Sequence, residues 1–172
     1  MSAPSVSVFP PAGMPATLDA LARSLVNVPP AIVERLATFT RASRHPFPEL
    51  VDPALELLGG VVPDWPLLSD WNRWCLASGA SFFVWQPERG MLSDRRRLEA
   101  LLHTIMMISG KEQAVRDYLA SGVREAEVAM AGDDCVVCDA HRHRVVPLSD
   151  RAMDQLPPFH PGCRCGVLPR ID

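Results

Sequence analysis

The chain has 172 residues, of which 48% are hydrophobic and 22% are charged, and its formal net charge is −3 at pH 7. These proportions are typical of a soluble globular protein with one main body, and no apolar run reaches the roughly 18 to 20 residues that a membrane span needs. The net charge excludes an overall cationic field that would attract nucleic acid or anionic lipid. Because the N-terminus lacks the pattern of a secretory signal, we expect a cytoplasmic, reducing location.

The first half of the chain predicts an arm followed by helices. Residues 1–16 contain four of the 17 prolines and show no apolar period, which indicates a flexible, proline-rich arm. Apolar residues then recur at helical spacing, so residues 17–92 are expected to form a helical N-terminal region of unknown role. Thr17 and Asp64 are predicted N-caps, and Pro53 is expected near the first turn of the third helix.

The tryptophans fall in one part of this region. They are Trp65, Trp71, Trp74 and Trp85. Such a cluster indicates an apolar core or, alternatively, a docking surface for a protein partner, because indole supplies a large contact area at a small entropic cost. The β-formers of the segment 81–85 predict a strand that ends in Trp85.

Two helices and three short strands are predicted in the remainder. A helix begins at Ser93 and is expected to stop at Gly110, and a second helix is expected to end at Gly122. The three arginines at 95–97 are interpreted as a solvated face. After Gly122 the apolar residues alternate, which predicts a strand leading to Cys135, with further strands at 144–148 and 165–170.

Soft metal ligands are concentrated near the C-terminus. Cys135 and Cys138 are separated by two residues, a spacing that lets two thiolates bind one ion, and His160, Cys163 and Cys165 follow. Four ligands complete a tetrahedral zinc site, so two sets remain open: the first two cysteines with His160 and Cys163, or with Cys163 and Cys165. Either closed shell makes the zinc structural, and the ligands are expected to stand in for an apolar core. The predicted fold class is therefore α+β, with a mainly helical body and a small C-terminal zinc-stapled β module.

Other residues allow alternative interpretations. Cys75 is expected to be a small buried hydrophobe. His141 and His143 are predicted to share a solvated face, and the alternative is a metal-dependent nuclease that uses them with nearby acids, namely Asp133, Asp134 and Asp139. A nucleic-acid-binding zinc module is a third possibility, which the acidic balance disfavours.

The segments "GVREAEVAMAGDDCVVCDAHRHRVVPL" and "PPFHPGCRCGVLP" resemble the C-terminal part of phage Mu F-like minor head proteins, the phage head morphogenesis family. The C-x-x-C pair and the H-P-x-C-R-C motif, residues 160–165, carry the resemblance. It covers roughly residues 93–169, so residues 93–172 are interpreted as a head-morphogenesis-like helix pair plus a zinc knuckle.

The resemblance implies a non-enzymatic structural protein of a phage or prophage, acting in capsid assembly or DNA packaging. Capsid or portal proteins are the implied partners, and the location is the host cytoplasm or the virion. The same module is also similar to one that bacteria attach to toxin or effector domains, which is the alternative role. Arg164 is a candidate contact residue, and Trp65, Trp71 and Trp74 are candidates for the docking surface.

Overall fold

A computed structural model describes residues 10–43, 47–80, 92–130 and 135–171. Within these ranges the chain forms six α-helices, one 3-10 helix and three β-strands. The helices are α1 Leu18–Ser24, α2 Pro30–Ala42, α3 Phe47–Leu57, α4 Pro66–Ser78, α5 Asp94–Ala120 and α6 Val136–Asp139; the strands are β1 Glu125–Ala129, β2 Val145–Pro147 and β3 Gly166–Arg170; the 3-10 helix is Asp150–Gln155. A helical body followed by a small sheet confirms the predicted α+β class.

The first and third helices show how local sequence sets helix ends. The Thr17 hydroxyl accepts a hydrogen bond from the Ala20 N–H at 3.1 Å, which confirms the predicted N-cap of α1. Helix α3 begins at Phe47, so Pro53 lies in its second turn, next to the first turn as predicted. Beyond α3 come Gly59 and Gly60, whose φ angles of 69° and 82° end the helical path.

Helix α4 begins differently from the prediction. Its N-cap position is Trp65 and its first residue is Pro66, so Asp64 is not the cap. The Asp64 carbonyl instead accepts the Val26 N–H at 3.0 Å, and its carboxylate lies 3.2 Å from the Arg97 guanidinium. Asp64 therefore joins the segment before α4 to both the end of α1 and the start of α5.

Helix α5 is one continuous helix of 27 residues, so the predicted helix pair is wrong. The Ser93 hydroxyl accepts the Arg96 N–H at 3.3 Å, as expected of an N-cap. Gly110 is exposed and its backbone is not left-handed, and a glycine inside a helix costs only about 1 kcal/mol. Ile108 and Val115 are buried on either side of Gly110. The free energy gained by their burial outweighs that cost, so the helix continues past Gly110.

Three apolar clusters hold the chain together. The helical core joins α1, α2, α3, Trp65 and the first half of α5. The second cluster, the metal-side core, packs α4 against the C-terminal loops; its buried members are Trp71, Trp74, Cys75, Val128, Cys135, Cys138, Cys163 and Cys165. The third lies under the sheet and contains Val115. Since α5 contributes to the first and third clusters, it connects the body to the sheet.

The sheet is antiparallel, with β1 between β2 and β3. Ala126 and Val128 of β1 are buried and the residues between and beside them are half-buried, which confirms the predicted alternation. Along the edge strand β3, the Tyr118 hydroxyl donates to the Val167 carbonyl at 3.0 Å and Pro169 has no N–H. The outer edge therefore offers few groups for pairing with another chain.

The described part of the predicted arm is anchored to the body. The Trp71 indole N–H donates to the Ala12 carbonyl at 3.3 Å, and the Lys111 ammonium donates to the Ala16 carbonyl at 2.6 Å. Residues 1–9 and the strand predicted at 81–85 lie outside the described residues. None of the described helices combines the length and apolar character required to cross a bilayer.

Candidate metal centre

The C-x-x-C half of the site is built on one turn of helix. Cys135 is the N-cap of α6, and its Sγ accepts the Cys138 N–H at 3.4 Å. That single turn brings both sulfurs to the same side, and Cys135 and Cys138 are only 9% and 2% exposed. The two-residue gap thus places two buried sulfurs together, with a backbone N–H supporting one of them.

The second half of the site is a tight turn. The Cys163 N–H donates to the His160 carbonyl at 3.1 Å, and Gly162 between them has a φ of 81°. Proline at the second position and a glycine with positive φ at the third are typical of a type II turn. The Pro161–Gly162 pair was therefore a readable signal that His160 and Cys163 are drawn together, and the sequence interpretation missed it.

The two halves meet in the folded chain. His160 Nε2 lies 3.2 Å from Cys135 Sγ and 3.1 Å from Cys138 Sγ, while Cys138 Sγ lies 3.7 Å from Cys163 Sγ. The ligand atoms form two groups that share Cys138: Cys135, Cys138 and His160, and Cys138, Cys163 and Cys165. Within each group they lie within 4.8 Å of one another. All five cysteines of the chain are free thiols, and this cluster could bind a metal ion.

His160 is oriented for a metal. Its Nδ1 lies 2.7 Å from the Pro161 carbonyl oxygen, to which it donates if the proton is placed on that nitrogen. The other ring nitrogen, Nε2, then directs its lone pair at the two sulfurs of the C-x-x-C pair. Histidines that bind metals typically have their second nitrogen fixed by such a carbonyl, because the hydrogen bond selects the tautomer.

Cys165 is buried, 3% exposed, but has a different neighbour. Its Sγ lies 3.5 Å from the thioether sulfur of Met130. It also belongs to the group around Cys138 and Cys163. Because Cys138 is common to both groups, the geometry is compatible with either of the two predicted ligand sets.

Hydrogen bonds within the cluster shift the pKa values of its thiols. The pKa of Cys135 is lowered, because Cys138 hydrogen-bonds to its sulfur and the His160 ring lies beside it. The pKa of Cys138 is raised, because its sulfur shares hydrogen bonds with Cys135, Cys163 and Cys165 and is buried. Thiolates and imidazole nitrogens are soft donors of the kind that soft cations prefer.

The cluster lies against two indoles. The Trp71 ring centroid is 6.0 Å from that of His160, and Trp71 packs edge-on against Trp74 at 5.5 Å. The ligands therefore add to an apolar core, contrary to the expectation that they stand in for one. Cys75 of α4 lies in the same core, and burial raises the pKa of its thiol to about 12, as expected of a small buried hydrophobe.

The three tryptophans within the described residues do not form an exposed docking surface. Trp65, Trp71 and Trp74 are 1%, 2% and 8% exposed. Trp65 lies in the helical core, whereas the other two lie in the metal-side core. These three residues are thus core, as the first interpretation expected, and they are divided between two cores. Trp85 lies outside the described residues.

The two histidines of the nuclease alternative point to different neighbours. His141 stacks on Phe159 with ring centroids 3.9 Å apart, and its pKa is lowered by burial and by the charge of Arg144. His143 Nδ1 lies 2.7 Å from a carboxylate oxygen of Glu127. His141 is half-buried against Phe159 whereas His143 is exposed, so the expectation of one shared solvated face is wrong. Neither histidine belongs to a metal-binding group of the described chain. Asp133 and Asp134 lie outside the described residues, and the Asp139 carboxylate lies 2.8 Å from the Arg142 guanidinium.

The arginines differ in their surroundings. Those at 95–97 pair with carboxylates of the body, among them Asp52, Glu99 and Asp64, which supports their interpretation as a charged, solvated face. Arg164 is exposed between the buried Cys163 and Cys165, where a partner could reach it.

Comparison with known proteins adds no relative: no protein-family model, curated protein or solved structure matches this chain. The structure therefore identifies a buried cysteine and histidine cluster that could hold a metal ion, on the chemistry and positions of its own residues.

Proposed function

We propose that the chain is a non-enzymatic structural protein of the phage-head-morphogenesis type, whose C-terminal module is closed by one structural zinc ion. The observation that carries the proposal is the meeting of five buried sulfur and nitrogen ligands from two distant segments. Neither segment alone supplies more than three of them, so one ion would fasten the segment around residue 135 to the segment around residue 163.

The chemistry of the ligands favours zinc. Thiolates and imidazole are the ligands of structural zinc, at about 2.3 Å for sulfur, and two thiolates of a tetrahedral shell are then about 3.8 Å apart. The Cys138 and Cys163 sulfurs are separated by 3.7 Å. Oxygen ligands, which calcium and magnesium require, are not part of either group.

The preferred shell is Cys135, Cys138, His160 and Cys163. His160 contacts both sulfurs of the C-x-x-C pair, and the turn at Gly162 carries Cys163 to the remaining side. Cys165, in contact with the Met130 thioether, stays outside the shell. In the alternative shell Cys165 replaces His160.

Two variants distinguish the shells by their zinc content. Cys165→Ser should keep one zinc per chain, and His160→Ala should lose it. The reverse pattern would establish the alternative shell.

Burial supports a structural and not a catalytic ion. The four preferred ligands are between 1% and 9% exposed, and four protein ligands fill a tetrahedral shell without leaving a position for substrate. Binding worth about 10 to 16 kcal/mol would order the loops that carry them. We therefore propose no nuclease activity, and cleavage of nucleic acid by the zinc-loaded protein under added Mg²⁺ or Mn²⁺ would count against this.

The role in phage assembly rests on the H-P-x-C-R-C resemblance. Arg164 of that motif is exposed and is a candidate contact to a capsid or portal protein. Free thiols in all five cysteines are compatible with a reducing host cytoplasm, which is the proposed location before assembly. The effector-associated role remains the alternative, because the same module would serve it.

Co-expression tests the assembly role. The chain is produced together with capsid and portal proteins encoded beside its gene, and the complexes are isolated by size and composition. We expect the wild-type chain to co-purify with one of them and Arg164→Ala to co-purify less, with Arg151→Ala as an exposed arginine control. Recovery of the chain only as a monomer would contradict the assembly role while leaving the zinc site intact.

A further inference from the structure

Helix α4 faces two different cores. Its N-terminal end, with Trp65 and Leu68, belongs to the helical core, together with residues of α1, α2, α3 and α5. Its C-terminal half, with Trp71, Trp74 and Cys75, belongs to the metal-side core. One helix is therefore fastened at one end by aliphatic packing and covered at the other by the loops that carry the metal ligands.

The cover over the C-terminal half combines the ligands with a few apolar residues, among them the partly buried Met130 and Phe159. The buried residues that share a core with Trp71 and Trp74 are Cys75, Val128, Cys135, Cys138, Cys163 and Cys165, and the His160 ring lies 6.0 Å from Trp71. Cysteine side chains are short and provide little apolar area. Cys135 and Cys138 lie on the single helical turn α6, and Cys163 and Cys165 lie in the loop that leads into β3.

We propose that the metal ion gates this face of α4: bound metal holds the ligand loops over Trp71 and Trp74, and release of the metal uncovers both indoles while the helical core stays closed. This inference rests on the proposed zinc site. Two indoles bury on the order of 300 to 500 Å² together, so uncovering them would create an apolar patch about as large as the largest one that a typical soluble monomer exposes.

Metal release would also affect the N-terminal segment, because Trp71 is hydrogen-bonded to it. The Trp71 indole N–H donates to the Ala12 carbonyl, and the Lys111 ammonium donates to the Ala16 carbonyl four residues further along. Movement of Trp71 would release the first anchor, while Lys111, which also donates to Met153 at 2.9 Å, would retain the second. Metal release should therefore loosen the chain near residue 12 and not near residue 16.

Trp65 provides a matched control within the same helix region. It is 1% exposed, so it is as buried as Trp71 and Trp74, but it is packed in the helical core. The full chain is loaded with zinc, its fluorescence and acrylamide quenching are recorded, and the measurement is repeated after a chelator removes the metal. The same is done for Trp65→Phe and for the double variant Trp71→Phe/Trp74→Phe, with zinc content measured at each step.

We expect chelation to shift the emission of the wild-type chain to longer wavelength and to increase quenching. Trp65→Phe should keep this response and the double variant should lose most of it. Hydrogen exchange on the unmodified protein provides a second readout if the double variant does not fold. It should show that the backbone around residues 71–78 loses protection on chelation, while residues 98–108 keep theirs.

Complete removal of zinc without any change at Trp71 and Trp74 would overturn the gate and leave the zinc site standing. An equal loss of protection in residues 98–108 would also overturn it, because the whole chain would then unfold as one unit. Absence of bound zinc before chelation would remove both the proposed site and the gate.

Discussion

The helical core and the metal-side core show two ways of closing the interior of one chain. Leu21, Leu36 and Leu102 of the helical core are fully buried aliphatic residues on three different helices. The metal-side core combines two indoles with short sulfur side chains. Apolar burial stabilises the folded chain in proportion to the buried area, at about 25 cal/mol per Å². Metal-ligating side chains stabilise it in this way only when a metal ion is bound to them. The comparison teaches that metal should control one core and leave the other almost unaffected.

The largest effect is expected from Cys138, which both ligand groups share. Cys138→Ala removes a ligand from either possible shell, so metal binding worth about 10 to 16 kcal/mol should be lost. Elemental analysis should find no stoichiometric zinc, and hydrogen exchange should show lost protection in 135–171 while residues 98–108 of the helical core keep theirs. Cys75→Ala is the control, since that buried thiol is in neither group. Full zinc occupancy in Cys138→Ala would contradict the site.

A second prediction addresses the helical core. Leu102 is 0% exposed, so Leu102→Ala should lower the free energy of unfolding by about 2 to 5 kcal/mol, measured by urea denaturation. Zinc content should not change, because this residue lies outside the metal-side core. Leu76→Ala is the matched control: Leu76 is 48% exposed, and its truncation should cost no more than about 0.5 kcal/mol. A loss of zinc in Leu102→Ala would show that the two cores are not separable.

The buried Lys111 predicts a specific pH dependence. Burial lowers its pKa from 10.5 to about 8, with Glu112 and Asp154 opposing the shift. Between pH 8 and 10.5 the unfolded chain therefore binds more protons than the folded one, and stability contributed by this group rises with pH by up to about 3 kcal/mol. Lys111→Met should lack this rise. Unfolding curves at pH 7.5 and 10 measure the difference, and parallel pH profiles for the two proteins would contradict the prediction.

The smallest effect concerns the continuity of α5. An added Cβ at Gly110 meets nothing within 4 Å, and its φ is not in the left-handed region. Gly110→Ala should therefore stabilise the chain by about 0.5 to 1 kcal/mol, because alanine has the higher helix propensity. Thermal unfolding measures this change. A destabilised variant would indicate that the helix needs a break at this residue.

Local patterns predicted much of the fold. The alternation of Ala126 and Val128 predicted β1, and hydroxyl side chains at Thr17 and Ser93 predicted two helix starts. The errors at Gly110 and Asp64 show how weak such local signals are, since a stop or cap signal is worth about 1 kcal/mol. At Gly110, burial of Val115 farther along the chain is worth more. At Asp64, the carboxylate pairs with Arg97 and the helix begins at Pro66 instead.

The candidate site was predicted in its members but not in its surroundings. The spacing of the candidate ligands predicted that His160 lies beside the C-x-x-C pair, because a tetrahedral zinc site needs four such ligands close together. Spacing carries no information about which distant helix packs behind the ligands. The sequence placed Trp65 and Trp71 in one tryptophan cluster, yet they lie in different cores, since that choice depends on tertiary packing.

The most direct test of the central claim is the metal content of freshly purified, fully reduced protein, measured together with backbone order in residues 135–171. One zinc ion per chain, removed by a chelator with simultaneous loss of hydrogen-exchange protection in that segment, is the predicted result. A metal-free chain whose C-terminal segment is as protected as the helical core would contradict the claim.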